Sequence, residues 1–176
     1  DVSDPFAPEV VYTYQRGGTS SLWCDVKVIG NYAYAVGESG GSIKIFNMSA
    51  IDKGVVSYLG ESSANGNSAT HNIAAVPEAN LLIKCGGSGE GLRFYSTAGN
   101  PESPAFIGEW NDRYVHDADL VVYPQNGPDL LYRGRVIGFL NDGNNGGGSN
   151  TGLSIVDFGT PQNFNPAGTL LSRVVW

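Results

Sequence analysis

Cysteine, histidine and basic residues are scarce in this chain of 176 residues, and no long apolar run occurs in it. Two cysteines cannot frame a disulfide-rich miniprotein, and they lack the paired spacing of a structural zinc site. Ten Lys plus Arg against 17 Asp plus Glu give a formal charge of -7, with no basic stripe to hold a phosphate backbone. No stretch approaches the ~20 apolar residues of a membrane-spanning helix. The sequence therefore argues against a disulfide framework, nucleic acid as a partner and a membrane span in this segment.

Glycine, proline and aromatic residues are abundant by contrast. The chain has 25 Gly and 9 Pro, which leave little room for long helices and indicate many turns. Seven Phe, nine Tyr and three Trp, in a chain that is 41% apolar, are typical of a folded protein with a buried core.

A polar doublet followed by a short apolar run occurs three times in the chain. The copies are Cys24-Asp25, His71-Asn72 and His116-Asp117. The steps between them are 71−24=47 and 116−71=45 residues, a period typical of one supersecondary unit stacked on its neighbours. We therefore interpret the chain as a repeat.

Each copy predicts four short strands joined by tight turns of Gly, Asn or Pro. The third strands align by eye as residues 42–47, 91–96 and 152–157. Four-stranded antiparallel units with a period of ~40 to 50 residues are typical of β-propeller blades. The predicted fold class is therefore all-β, with about three propeller blades in the chain.

The blade boundaries follow from these predicted strands. We predict blades at residues 23–60, 71–110 and 115–172, preceded by residues 10–22, which supply the outer strand of a preceding blade and a linker. Propellers close with ~4 to 8 blades, so three blades do not complete a ring. The chain is predicted to be a partial propeller of a longer chain, with the remaining blades coming from the same chain or from self-association.

Several motifs match one known family in order and spacing. They are residues 21–28, 31–34, 70–73, 115–118, 132–135 and 153–157. Over most of its length the sequence resembles the choice-of-anchor B family, whose members carry LVIVD-type repeats. Three positions depart from the family pattern: Cys24 stands where Arg is usual, Arg133 where Gln is usual, and Val136 where Glu is usual. Any polar site that these positions serve in relatives is not implied here.

The resemblance implies a β-propeller on an exported protein, either secreted or attached to the cell surface. It implies no enzymatic activity. We therefore expect a binding or assembly module whose loops contact a protein or a glycan on the cell surface or in the extracellular matrix. A structural subunit of a larger extracellular assembly is another interpretation, which a large buried apolar patch would indicate.

Polar residues at the start of the inner strands are the candidate functional residues. The first strand of each propeller blade lines the central channel, so Asp25, His71, Asn72, His116 and Asp117 are expected near one mouth of that channel. Imidazoles suit zinc, and carboxylate or amide oxygens suit calcium, so a divalent metal at His71, His116 and Asp117 is one hypothesis. In the alternative interpretation, these side chains hydrogen-bond neighbouring strands and turn backbone.

A metal-dependent, hydrolase-like enzyme with its site at the central channel is the alternative to a binding module. Cys24 is a conceivable nucleophile, but the chain has no nucleophile elbow of the Gly-x-Ser-x-Gly type. We assign no catalytic residue, and the non-catalytic module is the favoured interpretation.

Two covalent features are consistent with an exported protein. Strand alternation predicts Cys24 and Cys85 on the same face of adjacent blades, so a disulfide between them is one expectation and two separate thiols are the other. Asn47-Met48-Ser49 is the only glycosylation acceptor pattern, which makes Asn47 a candidate site at the end of a strand.

Two loops carry weaker signals. Residues 85–91 are glycine-rich but lie between two predicted strands, whereas a phosphate-binding loop opens a helix, so they predict a turn. Residues 141–150 are rich in oxygen-bearing side chains but depart from an EF-hand loop at Gly146. We interpret them as a surface loop, with weak calcium binding as the alternative.

Overall fold

The computed structural model describes residues 1–15, 23–64, 69–87, 91–143 and 151–175. These residues form three four-stranded antiparallel sheets, which confirms the all-β class and the prediction of about three blade-type sheets. In each sheet the strands lie side by side in chain order. Within the described ranges, no helix has the length and apolar character that a membrane crossing requires.

The described residues contain twelve strands, four in each blade. Blade 1 contains β1 (Cys24–Ile29), β2 (Tyr32–Gly37), β3 (Gly40–Ala50) and β4 (Val55–Ser62). Blade 2 contains β5 (Asn72–Val76), β6 (Leu81–Cys85), β7 (Leu92–Ser96) and β8 (Ala105–Trp110). Blade 3 contains β9 (Asp117–Val122), β10 (Val136–Asp142), β11 (Gly152–Thr160) and β12 (Asn163–Val175). Short 3₁₀ turns occupy Ile51–Lys53 and Pro77–Ala79.

Tight turns between neighbouring strands depend on residues that accept a positive φ. Gly30 joins β1 to β2 with a φ of 57°, and Asn80 leads into β6 with a φ of 52°. Glycine and asparagine tolerate this left-handed region better than other residues do. The two positions therefore let each chain reversal bring the next strand alongside the last.

The three blades stack in chain order with their first strands adjacent. β1 packs beside β5, and β5 packs beside β9. We call the side of a blade that is turned toward the following blade its forward face, and the opposite side its rear face. Because successive side chains of a strand point to opposite sides, each strand contributes alternate residues to the two faces.

Two apolar cores lie between the blades. The forward face of blade 1 packs on the rear face of blade 2 through Ile29, Tyr34, Val36, Ile43, Ile45, Ile73, Leu82 and Tyr95. The forward face of blade 2 packs on the rear face of blade 3 through Ala74, Val76, Leu81, Ile83, Cys85, Leu92, Phe94, Trp110, Val115, Leu120, Val136, Leu140, Val156 and Phe158. Each blade therefore depends on its neighbour to bury its apolar residues.

The N-terminal segment departs from the sequence prediction. The sequence predicts an outer strand within residues 10–22, but residues 10–15 belong to none of the sheets in the described part of the chain, and residues 16–22 lie outside that part. Tyr12 and Tyr14 instead contact Phe46, with ring centroids 6.1 and 5.3 Å apart. An aromatic, β-branched run forms a strand only where it finds an edge to pair with, and here its rings pack on the rear face of blade 1.

Cys24 and Cys85 form no disulfide with each other, and Cys24 is exposed whereas Cys85 is buried. The prediction that they share a face is wrong. Asp25 reaches forward to the Ile73 N–H on blade 2, so its neighbour Cys24 points to the rear of blade 1. Cys85 belongs to the core between blades 2 and 3, on the forward face of blade 2. The sheets of blades 1 and 2 therefore lie between the two sulfur atoms.

Candidate functional site

Two histidines stand immediately before the inner strands of blades 2 and 3. His71 precedes β5, and its backbone N–H donates to the Cys85 carbonyl at 3.1 Å. His116 precedes β9, and its backbone N–H donates to the Asn141 carbonyl at 2.8 Å. In both blades this bond extends the pairing of the first two strands by one residue. The repeat therefore places two imidazoles at equivalent positions on adjacent blades.

The two imidazoles contact each other, and each one binds a carboxylate. The ring centroids of His71 and His116 are 3.9 Å apart, with the ring planes tilted by 54°. A Glu38 carboxylate oxygen lies 2.6 Å from His71 Nδ1, and an Asp117 carboxylate oxygen lies 3.0 Å from His116 Nδ1. We call Glu38, His71, His116 and Asp117 the histidine rim. The rim joins all three blades, because Glu38 lies in the turn between β2 and β3 of blade 1.

Solvent reaches His116 much more than it reaches His71. The His71 side chain is 11% exposed, whereas the His116 side chain is 45% exposed. The hydrogen-bond network assigns the proton of each neutral imidazole to Nδ1, which faces a carboxylate, and so leaves a lone pair on Nε2. The arrangement therefore orients both rings and gives each an acceptor nitrogen away from its carboxylate.

Sequence reasoning missed Glu38 and Tyr114 as members of this region. The missing signal was topological: in a four-stranded antiparallel unit, the turn between the second and third strands lies where the first strand begins. The Glu38 N–H accordingly donates to the Trp23 carbonyl at 3.2 Å. Burial raises the pKa of Tyr114, and the negative charges of Glu38 and Asp117 raise it further. Tyr114 therefore keeps its hydroxyl proton beside the rim.

Asp25 and Asn72 meet at a single backbone group. The Ile73 N–H donates to Asn72 Oδ1 at 2.7 Å and to Asp25 Oδ2 at 3.3 Å. Lys27 Nζ also donates to Asp25 Oδ2, at 2.7 Å. Asp25 thus ties the inner strand of blade 1 to the inner strand of blade 2. The five predicted polar residues therefore separate into a rim of His71, His116 and Asp117 and a strand-bonding pair of Asp25 and Asn72.

The donor set of the rim is smaller than the ligand sets that metals usually have in proteins. Zinc takes about three or four protein ligands, and Ca²⁺ takes about six to eight oxygens. In the described ranges, no group of three or more His, Cys, Asp or Glu residues is arranged to hold a metal ion. Glu38 and Asp117 lie against Nδ1 atoms, where a carboxylate orients a ligating histidine and is not itself a ligand. A metal at His71, His116 and Asp117 stays a prediction.

Cys85 is a core residue next to the rim. Burial raises the pKa of its thiol to about 12, and the negative charge of Asp117 adds to the shift. The thiol donates to the Ile83 carbonyl at a sulfur-to-oxygen distance of 3.7 Å. A thiol with such a pKa carries almost no thiolate near neutral pH, so Cys85 is not suited to nucleophilic chemistry.

Sequence reasoning also missed a buried carboxylate at the end of β10. The Asp142 side chain is 2% exposed and accepts hydrogen bonds from Ser154 Oγ at 3.1 Å and Arg173 Nε at 2.9 Å. Arg113 Nε lies 3.9 Å away. One carboxylate thus links β10, β11 and β12 to the segment that follows blade 2. The next residue, Gly143, lies so close to His116 that any larger side chain there would clash with the His116 Cβ.

The remaining predicted features lie apart from the rim. Asn47 is partly buried within β3, and its Oδ1 accepts the Ser49 N–H at 2.8 Å. Glycosylation of Asn47 stays a prediction. In the two loops of the sequence analysis, residues 88–90 and 144–150 lie outside the described residues.

Two comparisons with known proteins, one against family models and one against curated proteins, find no match. The geometry of the rim and of the blade faces is therefore the structural basis for a function.

Proposed function

We propose that the chain is a non-catalytic binding and assembly module of an extracellular or cell-surface β-propeller. The observation that carries the proposal is the histidine rim, in which Glu38 of blade 1 contacts His71 of blade 2 at 2.6 Å and the His71 ring contacts the His116 ring of blade 3 at a centroid distance of 3.9 Å. Side chains engaged in this way hold the blades in place and give the rim a fixed polar surface. The resemblance to the choice-of-anchor B family supports the same function and an exported location.

The proposed partner is a protein or a glycan of the cell surface or the extracellular matrix. Trp23 is 55% exposed, and its ring lies 5.5 Å from the His71 ring at the rim. An exposed indole beside polar groups suits contact with a sugar or a protein surface, because the ring buries a large area and its N–H donates a hydrogen bond. Further blades complete the ring around this surface.

A metal-dependent, hydrolase-like enzyme is the second candidate. The observation that favours it is the carboxylate on each Nδ1, which leaves the Nε2 lone pairs of His71 and His116 for a divalent metal such as zinc. Bound zinc would activate a water molecule for hydrolysis. Calcium fits less well, since the rim offers imidazole nitrogens where calcium prefers oxygens.

Chelation separates the two candidates. The wild-type chain and the His71→Ala/His116→Ala double variant are tested with and without EDTA, on a glycan array and with chromogenic ester, phosphoester and glycoside substrates. Array binding that survives EDTA and the double substitution, without turnover, supports the binding module. Turnover that EDTA abolishes, zinc restores and the double variant lacks would overturn it in favour of the enzyme. Melting curves of both proteins check that the double variant is folded.

A further inference from the structure

The forward face of blade 3 is exposed at positions where the equivalent faces of blades 1 and 2 are buried, although Ile137 on the same face is only 4% exposed. When the blades are aligned on their polar doublets, Tyr34, Ile83 and Phe139 occupy the same position of the second strand. Tyr34 and Ile83 are 0% exposed because the following blade covers them, whereas Phe139 is 39% exposed. An aromatic residue therefore stands at a position that its counterparts use for contact between blades.

The first strands show the same difference. Ile29 and Val76 are 7% and 1% exposed, and their counterpart in β9, Val121, is 38% exposed. A shallow groove on this face of blade 3 is lined by Asp117, Ala118, Asp119, Phe139, Asn141 and Leu153. Apolar residues at positions that are covered in two blades indicate that a sheet of the same kind covers the third.

Blade 1 has the complementary opening on its rear face. Val26 and Val28 in β1 are 53% and 47% exposed. Their counterparts in β9, Ala118 and Leu120, pack into the core against blade 2. Tyr14 packs on Phe46 of β3 and Tyr58 of β4 on this face, while the valines of β1 stay exposed. Among the described residues, one forward face and one rear face are therefore open.

We propose that the forward face of blade 3 binds the rear face of blade 1 in a second copy of this chain, which returns the same contact to the first copy. Two copies related by a twofold axis then cover all four open faces. The pair contains 3+3=6 blades, within the ~4 to 8 blades of closed propellers. The occupant is thus a sheet of the same repeat. The forward faces of blades 1 and 2 already cover rear faces of this kind, on blades 2 and 3.

Asp117 supplies a specific polar contact for this interface. Asp25 of blade 1 accepts the Ile73 N–H of the following blade at 3.3 Å. Asp117 is the counterpart of Asp25, and its side chain is 44% exposed. Val26 is the counterpart of Ile73. In both, the N–H donates at 2.7 Å to the side chain of the preceding residue, Asp25 Oδ1 for Val26 and Asn72 Oδ1 for Ile73. Asp117 is therefore placed to accept the Val26 N–H of the second copy and to repeat the contact between blades 1 and 2.

Sedimentation velocity over a range of protein concentrations tests the proposal. We expect the wild-type chain to sediment as two chains that separate on dilution. Phe139→Asp on the forward face and Val28→Asp on the rear face each place a charge in the interface, so each should weaken dimerisation by about 30-fold or more. The matched control is Leu130→Asp, which adds the same charge at a residue that is 72% exposed between β9 and β10, and it should leave the dimer unchanged.

Mixing the two interface variants gives a sharper result. In a mixed pair, one of the two interfaces carries both substitutions and the other carries neither. The mixture should therefore dimerise more strongly than either variant alone, in which both interfaces are substituted. The proposal would be overturned if the wild type stayed a single chain at every concentration or if the dimer survived each of the two substitutions. It would also be overturned if the mixture dimerised no more strongly than the separate variants. Melting curves check that the variants fold. The glycan-array assay measures binding of a partner and not association between copies, so it tests the proposed function whichever result the sedimentation gives.

Discussion

The two cores between the blades occupy the same positions of the repeat but are filled differently. In the core between blades 2 and 3, Phe94 packs edge-on against Phe158 and Phe164, with ring centroids 5.0 and 4.9 Å apart. In the core between blades 1 and 2, the large rings belong to Tyr34 and Tyr95. Phenylalanine contributes burial and ring contact alone, whereas a buried tyrosine must also find a partner for its hydroxyl.

The tyrosine hydroxyls bind across the first interface in both directions. Tyr34 of blade 1 donates to the Pro101 carbonyl of blade 2 at 2.9 Å. Tyr95 of blade 2 donates to the carbonyl of Ala64, just after blade 1, at 3.4 Å. Among the described residues this core has eight buried members against fourteen in the other, so the hydrogen bonds supplement a smaller buried area. One repeat pattern can thus stack blades by aromatic burial or by burial together with reciprocal hydrogen bonds.

Removing an aromatic ring from the larger core should have the largest effect. Phe158 is 0% exposed and contacts both Phe94 and Phe164. Phe158→Ala should lower the free energy of unfolding by about 3–5 kcal/mol in urea denaturation, since it loses burial and leaves a cavity. The control Leu171→Ala lies on β12, is 37% exposed, and should cost less than about 1 kcal/mol. Similar losses in both variants would show that the phenylalanine cluster does not dominate this core.

A charged contact of blade 3 gives the next effect. Asp142→Ala takes the carboxylate from the Arg173 guanidinium, whose side chain is 17% exposed. We expect a loss of about 3 kcal/mol, at the low end for a broken buried pair because the guanidinium reaches some water. A double-mutant cycle with Arg173→Met should give a coupling free energy of about 1–3 kcal/mol. Additive losses in the cycle would mean that the two side chains do not interact energetically.

The blades could be predicted from the sequence because burial in the two cores imposes a repeated alternation of apolar residues. The aligned segments at residues 42–47, 91–96 and 152–157 lie in or directly beside β3, β7 and β11 of the structure. The polar doublets likewise begin at or next to β1, β5 and β9. Local alternation and turn residues carry this information within each unit.

Features that depend on register or on distant partners could not be predicted in the same way. A shift of one residue sends a side chain to the opposite face, so the sequence of β1 does not show whether Cys24 points forward or to the rear. Glu38 binds His71 from 33 residues away, in a turn with no motif of its own. Asp142 stands in a stretch that predicts a loop, and its burial depends on Arg173, 31 residues away.

Tyr34→Phe makes the smaller core resemble the larger one and should have the smallest effect. The substitution keeps the ring but removes the hydrogen bond to the Pro101 carbonyl. Near neutral pH we expect the free energy of unfolding to fall by about 1 kcal/mol, the usual net contribution of one hydrogen bond. Tyr12→Phe, at a side chain that is 39% exposed, is the matched control and should change it less.

The pH dependence of this variant sharpens the comparison further. Burial raises the pKa of Tyr34 from 10.0 to about 12, and the neighbouring Tyr32 adds to the shift. Below pH 10 both the folded and the unfolded chain keep the proton, so the contribution of the hydroxyl is fully present. Between pH 10 and 12 the unfolded chain loses the Tyr34 proton while the folded chain keeps it, so the free energy of unfolding of the wild type falls. Tyr34→Phe has no proton to lose at this position and escapes this fall. The difference between the two proteins in urea denaturation should therefore narrow as the pH rises through this window, and a constant difference would mean that Tyr34 titrates as an ordinary tyrosine does.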